Sequence, residues 1–341
     1  MIIKNKEEGI KTMKIKNLKL IVAMSVLLVS SVFARELASS EVNSRASERV
    51  LNGENLSPGI SVLNINNIAY WIGKDGAYTT AGSPNGTMAD YPIFTGGFIY
   101  SDGMLWGAKV KGDGQGDEVR VGGSTYNHGL KAGRIITDAN GDVIGSDDPV
   151  NNHVWRVRKD WASADLTVDA ANYYAVGTGD VSAAQIAVVK NQYEYDWYNW
   201  PAAWGAPYED VNGDGSYDPD VDVPGYPGAD QTMWTIANDV PLIVDAAGDS
   251  IGYSNTAPSL YGADPIGIEL QITLWGYAFG ASDPLGNNIF KQAKMKYMGL
   301  PGTPDGAMLD SLYFTQWSDP DLGTYTDDYV GCDTDLSFGY V

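Results

Sequence analysis

The alternation of apolar and polar residues between Ile268 and Leu274 most constrains the fold. Four apolar residues (Ile268, Leu270, Ile272, Leu274) alternate with Glu269, Gln271 and Thr273 inside the run Ile266–Phe279. A period of two residues is that of an antiparallel strand with one buried face. Two further strand-like runs follow, Asn288–Met298 and Met308–Trp317, and loops of 8 to 10 residues rich in Gly, Pro and Asp separate the runs. The pattern predicts a mainly β protein, an antiparallel β-sandwich or jelly roll.

Residues 60–160 form a second β-rich part. The apolar runs Val62–Trp71 and Gly96–Val110 are each predicted to be a short strand, and Gly-, Ser- and Asn-containing turns separate them. In Val119–Val121 the basic residue is expected to alternate outward. Asp138–Asp142 has oxygen side chains at alternate positions, but Val143 stands where a calcium loop needs Gly, so a hairpin turn is predicted there.

Residues 161–204 are predicted to form a helical and aromatic insertion. One helix opens near Ser163 and runs to about Tyr174, and a second is capped by Asp180 and ends near Tyr195. The small helical insertion around 163–195 is therefore set between β-rich parts 60–160 and 205–341.

The amino terminus has the pattern of an export signal. Three lysines precede the apolar run 20–29, and a small-residue cleavage site ends at Ala34. The run is short for a bilayer span of about 20 residues, so we predict a cleaved signal peptide over 1–34 and no membrane span in the mature chain. Residues 35–59, rich in Ser and Asn, are expected to form a flexible leader. The predicted localisation is extracellular or cell-surface.

The mature chain is strongly acidic. Removal of residues 1–34 takes away six Lys and two Glu, which leaves 16 basic and 41 acidic residues and a net charge of −25. Such a surface repels nucleic acid and anionic lipid, so neither is an expected partner. The single cysteine, Cys332, excludes an intramolecular disulfide framework and is expected to be a buried small hydrophobe.

The strongest chemical signal is the acidic loop that begins at Asp210. The residues at positions 1, 3, 5 and 9 of a calcium loop are Asp210, Asn212, Asp214 and Asp218, and Gly215 occupies the sharp-turn position 6. Oxygen donors at alternate positions converge on a hard cation when the backbone curls. Position 12 is Val221 instead of an acid, so Asp220 or Asp222 would have to complete the coordination shell of the ion. Calcium is the predicted cofactor, with Asp210, Asn212, Asp214, Ser216, Asp218 and Asp222 as candidate ligands; an ordinary acidic turn is the alternative.

The most aromatic segment of the chain, 193–204, precedes this loop. Its indoles, Trp197, Trp200 and Trp204, are interleaved with Asp and Asn and are candidates for stacking on sugar rings. The alternative is that they pack against the sheet. Further on, acids at 319–333 form a second candidate cation cluster, with simple turn chemistry as its alternative. The chain stops inside the apolar run 336–341, which suggests a piece of a longer protein.

Familiar catalytic patterns are missing from the sequence. The two histidines, His128 and His153, are far apart in sequence, and no nucleophile elbow, phosphate loop or dinucleotide fingerprint occurs. A catalytic pair of carboxylates for glycoside hydrolysis is a remaining alternative, because Asp is abundant and the sequence does not give the distance between two carboxylates.

Three segments carry a resemblance to a known class of proteins: WPAAWGAPYEDVNGDGSYDPDVDVPGYPGADQTMWTIAND, PIGIELQITLWGYAF and TQWSDPDLGTYTDDYVGCDTDLSFGYV. Together they resemble the amino-terminal region of large secreted proteins of the Bacteroidetes and related phyla, which end in a type IX secretion sorting domain. The resemblance implies export to the surface or medium and transfers no catalytic residue. The sequence departs from that class in ending before such a sorting domain, as is expected of a piece of a longer protein.

Two functions are consistent with these features. The first is a secreted or cell-surface calcium-binding structural or adhesion module without evident catalysis. The second is a carbohydrate-binding or carbohydrate-active secreted protein that uses the indoles. Extracellular polysaccharide or other surface proteins are the expected partners.

Overall fold

A computed structural model describes residues 59–77, 86–116, 118–254, 259–322 and 325–341. The predicted signal peptide lies outside the described residues, as does the predicted leader apart from Gly59. The described part contains nineteen strands and two α-helices. The mainly β prediction is confirmed, and so is the helical insertion in the middle of the chain.

The strands of the first half of the chain are β1 (Ile60–Leu63), β2 (Ala69–Gly73), β3 (Ala89–Asp90), β4 (Gly97–Lys111), β5 (Val119–Gly123), β6 (Lys131–Ala132), β7 (Ile135–Thr137), β8 (Val143–Ser146) and β9 (Trp155–Arg158). Those of the second half are β10 (Tyr208–Glu209), β11 (Val223–Pro224), β12 (Gln231–Asn238), β13 (Leu242–Val244), β14 (Ser250–Tyr253), β15 (Ile268–Gly276), β16 (Phe290–Tyr297), β17 (Met308–Pro320), β18 (Gly331–Asp333) and β19 (Phe338–Tyr340). The helices are α1 (Thr167–Tyr174) and α2 (Ala183–Tyr198).

Two large sheets enclose the main core. One has the order β1-β2-β3-β4-β17 with β5 beside β4, and the other has the order β16-β15-β12-β6 with β9 also on β12. Inward side chains of β2 and β4, such as Ile72 and Trp106, share one apolar cluster with Met233 of β12 and Leu270 of β15. The first sheet joins strands that are far apart in the chain, since β4 pairs with β17.

Strand β15 differs from its predicted half-buried state because both of its faces are covered. Ile268, Leu270, Ile272 and Leu274 face the core at 1% exposure each, as the alternation predicts. On the other face Glu269 and Thr273 are buried too. The aromatic segment lies over that face, where the amide of Gln271 donates to the carbonyl of Trp204 at 3.0 Å. Alternation in sequence cannot reveal a covering layer supplied by another segment.

The second helix begins two residues later than predicted. Ser182, not Asp180, is its N-cap: the hydroxyl accepts the backbone N–H of Gln185, whose side chain accepts the N–H of Ser182. This reciprocal pair satisfies two amides that the first helical turn leaves free. Val189, Tyr193 and Asp196 form the buried stripe at helical spacing.

A four-stranded sheet of order β14-β13-β8-β7 consists of two hairpins with similar sequences. The segments 136–145 and 243–252 share the pattern Ile-x-Asp-Ala-x-Gly-Asp-x-Ile-Gly. Asp138 accepts the amides of Asn140 and Asp142 at 2.8 and 3.0 Å, and Asp245 accepts those of Ala247 and Asp249 at 2.9 and 3.0 Å. The predicted hairpin turn at Asp138–Asp142 is thus present, and the second copy is a repeat that the sequence analysis missed. The copies meet through β8 and β13, which pair in parallel.

Three other local predictions are wrong. The run Val62–Trp71 is two strands, β1 and β2, joined by a turn. In β5 the basic residue points inward: Arg120 is buried and forms an ion pair with Asp113, while Val119 is exposed. Cys332 is exposed because it lies in the small β18–β19 hairpin, which forms a two-stranded sheet by itself. In the described part of the chain, no helix combines the length and apolarity needed to cross a membrane.

Candidate calcium loop and aromatic cluster

The acidic loop 210–222 is held at its base by a short strand pair and one buried carboxylate. Strands β10 and β11 pair through Tyr208 with Pro224 and Glu209 with Val223. Asp222 is 2% exposed, and its two oxygens accept the amides of Val211 at 2.9 Å and Asp218 at 2.8 Å. The loop is therefore closed before any ion is considered.

The first half of the loop curls around Asp210. Its carboxylate accepts the amides of Gly213 at 2.7 Å, Asp214 at 3.2 Å and Gly215 at 2.8 Å. Gly213 and Gly215 have φ of 72° and 78°, the left-handed conformation that glycine adopts without a steric cost. Gly215 thus makes the turn that its position in the pattern predicts.

The remaining candidate ligands bond to their own loop. Asn212 accepts the amide of Asp214 at 3.0 Å and donates to its carboxylate at 2.9 Å, and Asp214 accepts the amide of Ser216 at 2.8 Å. Asp218 accepts the amide of Asp220 at 3.0 Å. Of the two acids proposed to close the shell, Asp222 instead ties the base of the loop, which explains its displacement from position 12.

The loop has the donor chemistry that calcium takes, although its carboxylates are not gathered around one point. Carboxylate and amide oxygens are the ligands that this hard cation takes, and it accepts six to eight of them in flexible geometry. Within the described ranges, however, no three His, Cys, Asp or Glu side chains are grouped as they would be around a metal ion. Asp210, Asn212, Asp214 and Asp218 would hold the ion, which would neutralise the mutual repulsion of the three carboxylates.

Burial and the negative charges of the loop act on a neighbouring phenol. Burial, then the carboxylates of Asp222 and Asp218, raise the pKa of Tyr217 well above its ordinary value. The neutral hydroxyl of Tyr217 donates to the backbone carbonyl of Trp197 at 2.6 Å, and the indole N–H of Trp197 donates to the carbonyl of Pro219 at 3.2 Å. The loop is therefore attached to the end of helix α2.

The three candidate sugar-stacking indoles have different environments. Trp200 is 4% exposed in an apolar cluster with Trp155 and Trp234, and its N–H donates to the carbonyl of Pro207 at 2.8 Å. Trp197 and Trp204 are half-buried against the same cluster. Because Trp200 presents no free face, the three do not form a common exposed platform.

Trp204 lines a cavity. The cavity has a volume of about 570 Å³ and lies beside the duplicated hairpins. The guanidinium carbon of Arg134 lies 4.1 Å from the centroid of the Trp204 ring, a cation–π distance. Arg134 also forms a bidentate pair with Asp147, through Nε at 2.8 Å and Nη2 at 3.0 Å. Neither Arg134 nor Asp147 was singled out from the sequence.

The insertion is joined to the sheets by a buried polar network. Asp169 accepts bonds from Arg156, from Arg158 at 2.6 Å and from the hydroxyl of Tyr193 at 2.6 Å. Burial keeps the pKa of Tyr193 well above its ordinary value, so its hydroxyl remains a donor. The network connects β9, α1 and α2, and none of its members carries a sequence motif.

The other candidates have structural roles. Nε2 of His153 lies 2.9 Å from Oδ1 of the buried Asp196, whose other oxygen accepts the amide of Arg156 at 2.8 Å. Burial raises the pKa of Asp196, and the hydrogen bond from His153 opposes that rise. In the second acidic cluster, Asp328 accepts the amide of Leu322 at 3.0 Å and Asp333 accepts that of Asp335 at 3.0 Å, which is turn chemistry.

The chain matches no protein family model, and no curated protein or solved structure is significantly similar to it. The resemblance to secreted proteins with a type IX sorting domain stays a prediction.

Proposed function

We propose that this chain is a secreted or cell-surface structural or adhesion module without evident catalysis that binds calcium through the loop 210–222. The observation that supports this most is the closure of the loop by Asp222, which brackets Asp210, Asp214 and Asp218 within a short, pre-curled segment. These three carboxylates repel one another, and a divalent cation removes that repulsion.

The charge of the mature chain supports the same proposal. A net charge of −25 suits a cation-rich exterior, where divalent ions screen carboxylates. The predicted cleavage after Ala34 supplies the route to that exterior. Intact-mass measurement of the exported protein is expected to show the loss of residues 1–34; a mature product that retains 20–29 would contradict export by this route.

Thermal unfolding in chelator and in calcium tests the cofactor. At free calcium about 100 times the dissociation constant, binding to the native state adds roughly 2.7 kcal/mol to the free energy of unfolding, which raises the melting temperature measurably. Magnesium is expected to substitute poorly because it requires a tighter octahedral shell. Identical melting curves in chelator and in millimolar calcium would reduce the loop to an acidic turn.

Carbohydrate binding is the second candidate function, and one observation favours it. Trp204 lines a cavity together with carboxylate and amide side chains, a combination suited to hydroxyl-rich ligands. Extracellular polysaccharide is thus the partner that this candidate function implies. Trp197 and Trp200 contribute to it only by supporting the position of Trp204.

A further inference from the structure

The cavity at Trp204 is built by the duplicated hairpins. The first copy supplies Ile136, and the residues just after it supply Asp147 and Asp148; the second copy supplies Asp245 and Ile251. Its volume of about 570 Å³ lies within the range of about 300–1,000 Å³ typical of small-ligand pockets. The parallel pairing of β8 with β13 holds the two copies side by side, so both of them line the cavity.

One side of the cavity is a preorganised donor. Arg134 is fixed by its stacking on Trp204 and by two bonds to Asp147, and its backbone N–H also donates to Asp147 at 3.0 Å. Across the described residues, Nη1 of this arginine has no hydrogen-bond partner. A fixed guanidinium with a free N–H edge is suited to a ligand oxygen, because little side-chain freedom is lost on binding.

The charges of the cavity discriminate between ligand classes. Three aspartates line it against one arginine, and Asp147 is already paired with that arginine. Asp148 and Asp245 keep the local charge negative, which disfavours carboxylated or sulfated ligands. The free N–H edge of Arg134 requires an acceptor on the ligand, which an ammonium group lacks and a hydroxyl group has. Acceptors, one donor edge and an indole fit a neutral polyol.

We propose that this cavity binds a neutral sugar residue of an extracellular polysaccharide, with Arg134, Asp148 and Asp245 bonding to hydroxyl groups and Trp204 contacting the ring. The inference rests on the adhesive role proposed above and names its ligand. It needs no catalytic group, since the site recognises and does not react.

Affinity electrophoresis of the full chain through native gels tests this. The gels contain neutral glucans, mannans, galactans or xylans, or polygalacturonate as a charged control. At least one neutral polymer is expected to retard the protein, and polygalacturonate is not. Retardation by none of the neutral polymers, or by polygalacturonate instead, overturns the proposal.

Two matched pairs of variants locate the site. Trp204→Ala is expected to weaken retention roughly tenfold, the effect of losing one aromatic contact of about 1.4 kcal/mol. Trp197→Ala is the control and is expected to leave retention unchanged, because Trp197 is half-buried on the same cluster but is not among the residues that line this cavity. If Trp204→Ala fails to fold, Ile251→Trp serves instead, because the larger side chain at this exposed position fills the cavity and is expected to weaken retention. Ser250→Trp, on the opposite face of β14, is its control. Equal retention of wild type and cavity variants overturns the assignment.

The same gels run with calcium or with chelator separate this inference from the proposed calcium role. A protein that calcium stabilises but that no neutral polymer retards contradicts the sugar site and leaves the calcium loop standing. A protein that a neutral polymer retards but that calcium does not stabilise contradicts the loop and leaves the sugar site.

Discussion

Two groups of aspartates in this chain are compensated in opposite ways. Asp169 is 1% exposed and is surrounded by two arginines and a tyrosine hydroxyl. In the loop, Asp210, Asp214 and Asp218 accept only neutral donors, and no Lys or Arg of the described part bonds to them. Both groups satisfy their hydrogen bonds, but only the first also has its charge neutralised.

This difference separates structural acids from acids that have room for an ion. A buried carboxylate must be paired, because removing an ion from water costs several kcal/mol. Exposed carboxylates can remain unpaired because water solvates them. Water weakens the repulsion between them but does not remove it, so a bound cation still stabilises the group. We therefore expect the free energy of unfolding to change most on mutation for the carboxylate in the network. For the carboxylates of the loop, we expect it to change most on addition of calcium.

The largest expected effect is in the network. Asp169→Ala leaves the buried Arg156 without its carboxylate partner and is expected to cost about 3–5 kcal/mol of unfolding free energy, measured by chemical denaturation. Asp165→Ala, an exposed neighbour just before α1, is the control and is expected to have a small effect. Equal effects of the two changes would remove the distinction between the two groups.

A smaller effect is expected at the base of the loop. Asp222→Asn replaces one of the two accepting oxygens with a donor, so one of the amides of Val211 and Asp218 loses its partner, at a cost of about 1–3 kcal/mol. Asp220→Asn, which is exposed, is the matched control. If both variants unfold like wild type in chelator, the loop is not closed by Asp222.

The smallest effect is expected at the cap of helix α2, which contributes to both regions. Ser182→Ala removes the side-chain acceptor of the Gln185 amide and is expected to cost about 1 kcal/mol, without changing the response to calcium. Ser163→Ala is the control on an exposed turn. A lost calcium response in Ser182→Ala would mean that the loop depends on the whole helix.

The sequence predicted those elements whose cause is local. The alternation in β15 predicted its inward face, and the glycine at 215 predicted the curl of the loop, because a two-residue period and a positive φ are properties of a few adjacent residues. Placement across the chain was not predictable. Nothing near Trp200 distinguishes a buried indole from an exposed one, and Arg134 lines the cavity with Trp204 only because the fold joins segments 70 residues apart.

Calorimetric titration of calcium into chelator-treated protein is the most direct test of calcium binding by the loop 210–222. The wild type is expected to show a saturable calcium site that is lost in Asp214→Ala. The site is expected to be retained in Asp142→Ala, where the incomplete pattern ends in Val143 and forms only a hairpin turn. Absence of calcium binding by the wild type, or equal binding by Asp214→Ala, would contradict a calcium site in this loop.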